Sequence, residues 1–202
     1  MSDIVVRDLG VRPMPEVWAE MKSYTDERDA AAPDQVWFVE HPPVFTLGQG
    51  ADRAHLLDPG EIPVVETDRG GQVTFHGPGQ LVCYALIALK RRGLDVRSLV
   101  RALEAAVVDT VAAYGVEAYP RRDAPGVYVG GRKLAAVGLR VRKGCSYHGI
   151  AVNVRMDLEP FSRIDPCGFA DLKVTQLADL CEVESVARVR ADLTPRLLAR
   201  LG

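Results

Sequence analysis

Apolar residues recur along the chain at two spacings, one typical of strands and one typical of helices. Short runs rich in β-branched and aromatic residues, bounded by glycine, proline or aspartate, predict strands. The predicted strands are residues 36–39, 62–66, 72–75, 81–89, 127–129, 133–141 and 146–154. The run 81–89 is too apolar for an exposed edge, so we expect it inside a sheet.

Three segments carry the helical spacing instead. Residues 16–32 follow Pro13 and Pro15 and are predicted to form the first helix. Asp95 is a good N-cap for a long second helix that ends near Gly115. The apolar stripe of that helix consists of Leu99, Val100, Leu103, Val107 and Val111. The tail from residue 174 onward is predicted to be helical, with Pro195 starting or kinking its last piece.

Strands in succession, with helices between and after them, predict a mixed sheet flanked by helices, of the α/β or α+β class. No stretch has the composition of a linker, and no repeat is visible. We therefore expect a single domain over residues 1–202.

Composition excludes several classes of protein. Of the 202 residues, 48% are hydrophobic and 26% are charged, as in ordinary globular chains, so disordered, collagen-like and coiled-coil classes are excluded. A net charge of -2 argues against nucleic-acid binding driven by bulk charge. No apolar run approaches the roughly 18 residues that span a bilayer, and the charged first ten residues lack a signal peptide's apolar run. We expect a cytoplasmic protein without membrane association.

The most unusual segment is DRGGQVTFHGPGQ at 68–80. Adjacent glycines allow a backbone to approach a ligand closely, and threonine, histidine and glutamine supply hydrogen-bonding groups beside them. The cluster favours a ligand-binding loop, although a tight hairpin with a surface histidine explains any one of its residues. It matches no phosphate-loop motif.

Lys133 is the second unusual feature. In a regular strand over residues 133–141, Lys133 shares a face with Ala135, Val137 and Leu139, and this apolar face is the one we expect to be buried. A lysine there either extends its ammonium to solvent at the strand end or stands in a pocket where desolvation favours the neutral amine.

Cys167 is the best candidate nucleophile among the four cysteines. Pro166 and Gly168 bracket it in a loop-like segment, whereas Cys83 and Cys181 lie in apolar patterns typical of a core. A nearby ammonium can lower a thiol pKa enough to expose thiolate at neutral pH. A thiol in a turn without any role is the alternative.

His148 follows Cys145 by three residues, as in half of a metal site, but no second pair of suitable spacing exists, so we expect no metal. On strand parity His148 shares a face with Ile150 and Val152, where a hydrogen-bonded core histidine is the simplest interpretation. Cys167 paired with His76 or His148 would describe a thiol hydrolase or transferase, and the sequence leaves that alternative open.

Five ordered motifs together resemble the lipoyl(octanoyl) transferase family, also called lipoate biosynthesis protein B. They are EHPPVFTLG at 40–48, RGGQVTFHGPGQLVCY at 69–84, GRKLAAVGLRV at 131–141, YHGIAVNV at 147–154 and PCG at 166–168. The resemblance implies a fold like that of the biotin and lipoate protein ligase catalytic domains. It implies a cofactor-free enzyme that moves an octanoyl or lipoyl group from acyl carrier protein to a lysine of a lipoyl domain.

The resemblance also assigns residues. Cys167 matches the cysteine that forms the acyl thioester, and Lys133 matches the lysine beside it. The substrate-binding segments match Arg69, Gly70, Gly71, Gln72, Val73, Thr74, Phe75, His76, Ala136, Val137, Gly138, Gly149, Ile150 and Ala151. We expect backbone N–H groups near Gly70, Gly71 or Gly168 to stabilise the oxyanion, and an apolar acyl pocket that includes Leu139. The chain departs from the family at Ala136–Val137–Gly138, where a serine is common, and at Gln176.

The implied partners are octanoyl-acyl carrier protein as donor and, as acceptors, the lipoyl domains of 2-oxoacid dehydrogenase acyltransferase subunits and the glycine cleavage H protein. We expect a monomer. Two candidate patches could dock the acidic carrier. One consists of Arg91, Arg92, Arg97 and Arg101, and the other of Arg140, Arg142 and Lys143. Three alternatives remain, namely an ATP-dependent lipoate or biotin-type ligase, a binding module without catalysis, and a cysteine hydrolase.

Overall fold

The computed structural model describes residues 3–165 and 172–202. Within them, seven strands form a mixed sheet in the order β1-β2-β6-β10-β9-β8-β7, and a smaller sheet has the order β4-β3-β5. The strands are β1 Val5–Val11, β2 Gln35–Glu40, β3 Val44–Leu47, β4 Val64–Glu66, β5 Thr74–His76, β6 Gln80–Leu86, β7 Tyr119–Pro120, β8 Gly126–Val129, β9 Arg132–Arg142 and β10 Cys145–Asn153.

Helices cover both faces of the large sheet. They are α1 Met14–Glu27, α2 Val96–Ala112 and α3 Val186–Leu201. Alternate residues of β2 divide between the two faces, as the pleat of a strand requires. Trp37 and Val39 pack with Val17 and Met21 of α1, whereas Val36 and Phe38 join the larger core under α2 and α3.

The sequence predictions are confirmed for the interior elements and less accurate at their ends. α2 starts after Asp95, whose side chain accepts from Ser98 N in a capping box, as expected. α1 begins at Met14 and ends at Glu27, so the predicted helix over 16–32 is placed too late and extends too far. β1, β3 and β7 were not predicted.

The prediction of helix from residue 174 onward is wrong for its first part. Val174 instead forms a parallel bridge with Lys133 of β9. A short 3₁₀ turn, Leu177–Asp179, follows, and α3 begins only after Ser185, whose hydroxyl caps Arg188 N. α3 then runs through Pro195 instead of starting there.

Pairing of β8 with β9 contains a bulge that changes the expected face of Lys133. Val127 pairs with Ala135, but the next residue, Tyr128, pairs with Lys133, so Leu134 is the extra residue. Paired residues lie on the same face, and Lys133 therefore lies with Ala136 and Gly138, opposite to the face of Ala135. The predicted shared face with Ala135, Val137 and Leu139 is wrong. Of the two alternatives for Lys133, the structure shows the buried one.

Candidate active site

A cavity lies between the large sheet and the loop that carries residues 69–76. The cavity has a volume of about 70 Å³ and lies within a cleft of about 780 Å³ that includes open solvent. Most of its lining is apolar, with a few convergent polar groups, as in small-molecule sites. The lining residues are Met14, Arg69, Gly71, Gln72, Val73, Thr74, His76, Gln80, Val82, Tyr84, Lys133, Ala136, Val137, Gly138, His148, Gly149, Ile150, Ala151, Asn153, Phe161 and Val174.

Small residues form the floor of this cavity. Ala136 pairs with Ala151, and Gly138 pairs with Gly149, so four small residues share one face of β9 and β10. Their short side chains leave space above the sheet that larger residues would fill. A slender ligand can therefore lie close to the backbone here.

Arg69 holds the loop over this floor. Its guanidinium is almost fully buried and donates to Thr46 O at 2.6 Å and to Gly70 O at 3.0 Å. Gly70 N donates in turn to Leu139 O of β9 at 2.9 Å. The glycine-rich loop is thus fixed to both sheets, and the Gly70 amide is already engaged by β9.

A chain of hydrogen bonds runs from His76 toward the segment beside Lys133. The Gln80 amide nitrogen donates to Asn153 Oδ1 at 3.0 Å, and Asn153 donates to Thr175 O at 3.0 Å. Gln80 Oε1 therefore accepts from His76 Nδ1 at 2.7 Å, which leaves His76 Nε2 as an acceptor. Burial lowers the pKa of His76 to about 3, so this imidazole is neutral at pH 7.

His41 orients Tyr84 at the cavity wall. His41 Nδ1 donates to Arg12 O at 2.6 Å, so its Nε2 accepts from the Tyr84 hydroxyl at 2.7 Å. Burial lowers the pKa of His41 to about 4 and raises the pKa of Tyr84. Both groups are neutral near pH 7 and serve as fixed dipoles.

His148 departs from its predicted position. Its φ of 60° lies in the left-handed region, which histidine adopts more often than most residues. The ring stacks on Tyr147 and meets Tyr84, and Nε2 donates to Asp68 Oδ1 at 3.0 Å. His148 is thus a buried, hydrogen-bonded histidine as expected, but its predicted position on the face of Ile150 and Val152 is wrong.

The Asp68 carboxylate accepts three side-chain hydrogen bonds at this end of the cavity. Trp18 Nε1 donates at 2.9 Å, and the Tyr147 hydroxyl and His148 donate to the same carboxylate. Burial alone would raise the pKa of Asp68, but these hydrogen bonds outweigh it and hold the pKa well below its usual range. The carboxylate is therefore charged and fixes the tautomer of His148 as Nε2–H.

Lys133 lies at the other end, with only 4% of its surface exposed. Its Nζ donates to Pro125 O at 3.3 Å and lies 5.3 Å from the centre of the Tyr128 ring. Its backbone N–H donates to Lys173 O at 2.8 Å, and its carbonyl accepts from Thr175 N at 3.0 Å. A buried amine therefore opens into an apolar cavity.

The structure brings most of the predicted site residues to one cavity. The three family-matched segments meet there, except for Gly70, which bonds to β9, and Phe75, which packs against Phe45 and Phe161. Cys167 lies outside the described residues. The sequence reasoning missed Met14, Gln80, Val82, Tyr84, Asn153, Phe161 and Val174 as lining residues, although Gln80 and Tyr84 belong to the quoted 69–84 motif.

Comparison with known proteins decides the family. The family described as "Lipoyl protein ligase A/B catalytic domain" matches residues 13–197. The chain is 62% identical over 193 residues to the octanoyltransferase of Alkalilimnicola ehrlichii, covering 96% of this chain and 90% of that protein. It is 54% identical over 202 residues to the octanoyltransferase of Marinobacter nauticus, covering 100% and 95%.

The chain belongs to the lipoyl protein ligase A/B family. The resemblance inferred from its motifs is thereby confirmed, and the enzyme is an acyltransferase. The predicted fold class is also confirmed. A bi-partite lipoate protein ligase from Thermoplasma acidophilum superposes with a TM-score of 0.81 at 18% identity, covering 100% of this chain and 84% of that one.

Among the helices that the structure describes, none is both long enough and apolar enough to cross a bilayer.

Proposed function

We propose that this acyltransferase moves an octanoyl group from acyl carrier protein to a specific lysine of a lipoyl domain, through a thioester on Cys167. The observation that carries the proposal is the amine of Lys133, buried at one end of an apolar cavity. The octanoyl group is inferred from the relatives, because their name, octanoyltransferase, states the group that they transfer.

An eight-carbon chain suits the cavity. Val73, Val82 and Phe161 supply apolar side chains to the lining. Val137 and Ile150 pair with each other on the opposite face of the sheet, in the core under α2 and α3, and Leu139, which we expected in the pocket, lies outside the lining. Each buried CH₂ contributes about 0.8 kcal/mol, so several of them bind the chain firmly. Exclusion of water protects a thioester from hydrolysis.

The proposed reaction has two acyl transfers. In the first, the Cys167 thiolate attacks the carrier thioester, the new C–S bond forms as the carrier's C–S bond breaks, and the Lys133 ammonium gives its proton to the carrier sulfur, which leaves as a thiol. In the second, the acceptor lysine attacks the Cys167 thioester and forms an amide, and the Cys167 thiolate leaves. Lys133 as a neutral amine takes the proton of the attacking lysine and as an ammonium stabilises the thiolate.

The chain on either side of residues 166–171 supports the placement of Cys167 near Lys133. Phe161 and Val174, which flank that stretch in the sequence, both line the cavity. Lys173 accepts from the Lys133 backbone, and Asp165 N donates to His55 O at 2.9 Å. In the sequence, Cys167 follows Phe161 by six residues and precedes Val174 by seven, which supports a position near the cavity.

The buried histidines favour Lys133 as the proton acceptor. With a pKa of about 3, His76 is a weak base at neutral pH, and burial also lowers the pKa of His148. A hydrolase that relies on either histidine as its base is therefore disfavoured. Gly71 is a candidate oxyanion donor, and the Gly70 amide is not, because it already bonds to Leu139 O.

We propose cytoplasmic action as a monomer, on the lipoyl domains of 2-oxoacid dehydrogenase acyltransferase subunits and on the glycine cleavage H protein. For docking of the acidic carrier, the candidate patches differ in how much charge is free. Arg91 and Arg92 pair with buried Asp34, and Arg142 pairs with Asp26. Arg97 and Arg101 are the better candidates, because α2 presents them in its first turns.

One experiment tests the proposed function. The protein is mixed with octanoyl-acyl carrier protein, and its intact mass is measured before and after addition of a lipoyl domain. We expect an octanoyl adduct that maps to Cys167 and that then moves to the lipoyl domain lysine.

Cys167→Ala serves as the matched variant and should form no adduct. Transfer by Cys167→Ala that requires ATP would indicate a ligase. Release of free octanoate with acceptor present would indicate a hydrolase, and binding without any adduct would indicate a carrier-binding module.

A further inference from the structure

We propose that Glu104 of α2 is a positioning residue for Lys133, because its carboxylate fixes the Pro125–Gly126 peptide whose carbonyl oxygen holds the Lys133 amine. This inference rests on the proposed role of Lys133 in proton transfer. Glu104 belongs to none of the family-matched segments and does not line the cavity.

Glu104 is a carboxylate in an unusual position. It lies on α2 among Leu103, Ala106 and Val107, and only 4% of its surface is exposed. A carboxyl group is seldom buried unless it has a partner. Its partner is the Gly126 amide, which donates to Glu104 Oε1 at 2.7 Å.

Lys133 contacts the same peptide unit from its other side. The carbonyl of Pro125 and the N–H of Gly126 belong to one planar peptide, so they point in opposite directions. The carbonyl accepts from Lys133 Nζ at 3.3 Å, and the N–H donates to Glu104. The carboxylate thereby fixes the direction of the carbonyl and, by polarising the peptide, strengthens its hold on the amine.

Gly126 allows the lysine stem to pass this peptide. Its φ is +142°, and an added Cβ would lie 3.2 Å from Lys133 Cε and 2.4 Å from Ala135 O. A side chain at this position would displace both the strand and the lysine. The stem therefore runs directly along the peptide that Glu104 holds.

The opposite charges of Glu104 and Lys133 also favour this arrangement. Burial raises the pKa of Glu104, and the Gly126 hydrogen bond and the positive charge of Lys133 partly offset that rise. Other titratable groups among the described neighbours of Lys133 are Tyr128 on β8, Lys173 beside β9 and His76 across the cavity.

The test measures the titration of Lys133 directly. The chain has only five lysines, at 22, 90, 133, 143 and 173, so ¹³C-lysine NMR resolves their Cε resonances and Lys133→Met assigns one of them. Glu104→Gln keeps an acceptor for Gly126 but removes the charge. Removal of a negative charge near the amine should lower the Lys133 midpoint, and the acidic limb of the pH–rate profile should move in the same direction.

Glu104→Met removes the acceptor as well. We expect kcat to fall by roughly tenfold with KM within about twofold, because the amine loses its orientation while substrate binding remains. Asp109→Asn is the matched control. Asp109 lies on the same helix, where it pairs with Arg200, and its substitution should change neither the Lys133 midpoint nor the rates.

A reciprocal measurement needs no substitution at Glu104. In Lys133→Met, the ¹³C resonance of the Glu104 carboxyl should titrate at a higher pH than in the wild type, and this decides the question if the Glu104 variants do not fold. An unchanged Lys133 midpoint in folded Glu104 variants, or an unchanged Glu104 midpoint in Lys133→Met, overturns the inference. Wild-type transfer by Lys133→Met would instead overturn the proposed role of Lys133 in proton transfer, on which this inference rests.

Discussion

Lys133 is the residue on which the proposed chemistry depends most directly. Lys133→Arg keeps a positive charge beside the cavity, but a guanidinium does not deprotonate in proteins and cannot accept the proton of the acceptor lysine. We expect octanoyl transfer to slow by about 10²–10⁴-fold, the usual contribution of a general base. The measurement is single-turnover transfer from the Cys167 thioester, with thermal unfolding as the control for folding. Wild-type turnover would contradict proton transfer by Lys133.

The family motif assigns Gly149 to substrate binding, but the structure shows that close packing of β10 against β6 also requires glycine there. An added Cβ would lie 2.0 Å from Cys83 O, a backbone atom of β6 that cannot move aside cheaply. We therefore expect Gly149→Ala to lower the free energy of unfolding by about 2–3 kcal/mol, measured by chemical denaturation.

Gly70→Ala is the control for this prediction, because its Cβ would meet nothing closer than Leu139 O at 3.4 Å. Its stability should stay near that of the wild type. Equal stability of the two variants would show that strand packing does not require glycine at position 149.

At the scale of single residues, the sequence predicts the candidate site residues better than it predicts their hydrogen-bond partners. The motifs pointed to Lys133 and to the loop 69–76, because rare residue types in dense clusters are visible in a sequence. The partners Asp68 and Glu104 were not predicted. Contacts between residues far apart in the chain, such as Glu104 with Gly126, follow from tertiary packing and leave no local pattern.

At the scale of elements, periodicity predicted the interior of the fold and missed its margins. β6 and β10 are long and apolar, and both were predicted. β1 is an exposed edge strand, and β3 has only four residues directly after two prolines, so neither shows a clear pattern. The sequence also does not predict the bulge at Leu134. Strand parity assumes regular pairing, and the extra residue becomes evident only when β9 is paired with β8.

The start of α2 gives a prediction for a whole element. Asp95 accepts from Ser98 N at 2.7 Å, and Ser98 Oγ accepts from Asp95 N at 2.8 Å, so each satisfies a free donor at the helix end. We expect Asp95→Ala to cost about 1 kcal/mol of stability, the usual cost of a lost N-cap. Urea denaturation measures it, and Arg97→Ala in the same turn is the control. A loss no larger than that of the control would show that α2 is held by packing alone.

At the scale of the whole molecule, a buried cluster connects distant parts of the chain. Asp34 is fully buried and accepts from Arg28 at 2.8 Å, Arg91 at 2.6 Å and Arg92 at 2.7 Å. It also accepts from Ala88 N at 2.7 Å, beyond the end of β6. The Asp34 cluster therefore ties the end of α1 and the start of β2 to the segment that leads into α2.

The Asp34 cluster predicts how stability depends on pH. Burial would raise the pKa of Asp34, but the hydrogen bonds from Arg91, Ala88, Arg92 and Arg28 outweigh it and lower the pKa from 3.8 to about 2. Because the unfolded chain binds the proton at higher pH than the folded chain, the stability from this group is present above pH 3.8 and is lost as pH falls to about 2. The loss amounts to about 2 kcal/mol.

Denaturation between pH 6 and pH 2 tests this prediction by comparing slopes. Asp34→Asn should be less stable at neutral pH, because three guanidinium groups lose their carboxylate, by about 3–5 kcal/mol. Its stability should also fall less steeply below pH 4 than that of the wild type, since it lacks the group that takes up the proton. Asp29→Asn, at an exposed carboxylate that caps only its own turn, should keep the wild-type slope. Identical slopes for wild type and Asp34→Asn would show that the Asp34 cluster does not govern acid unfolding.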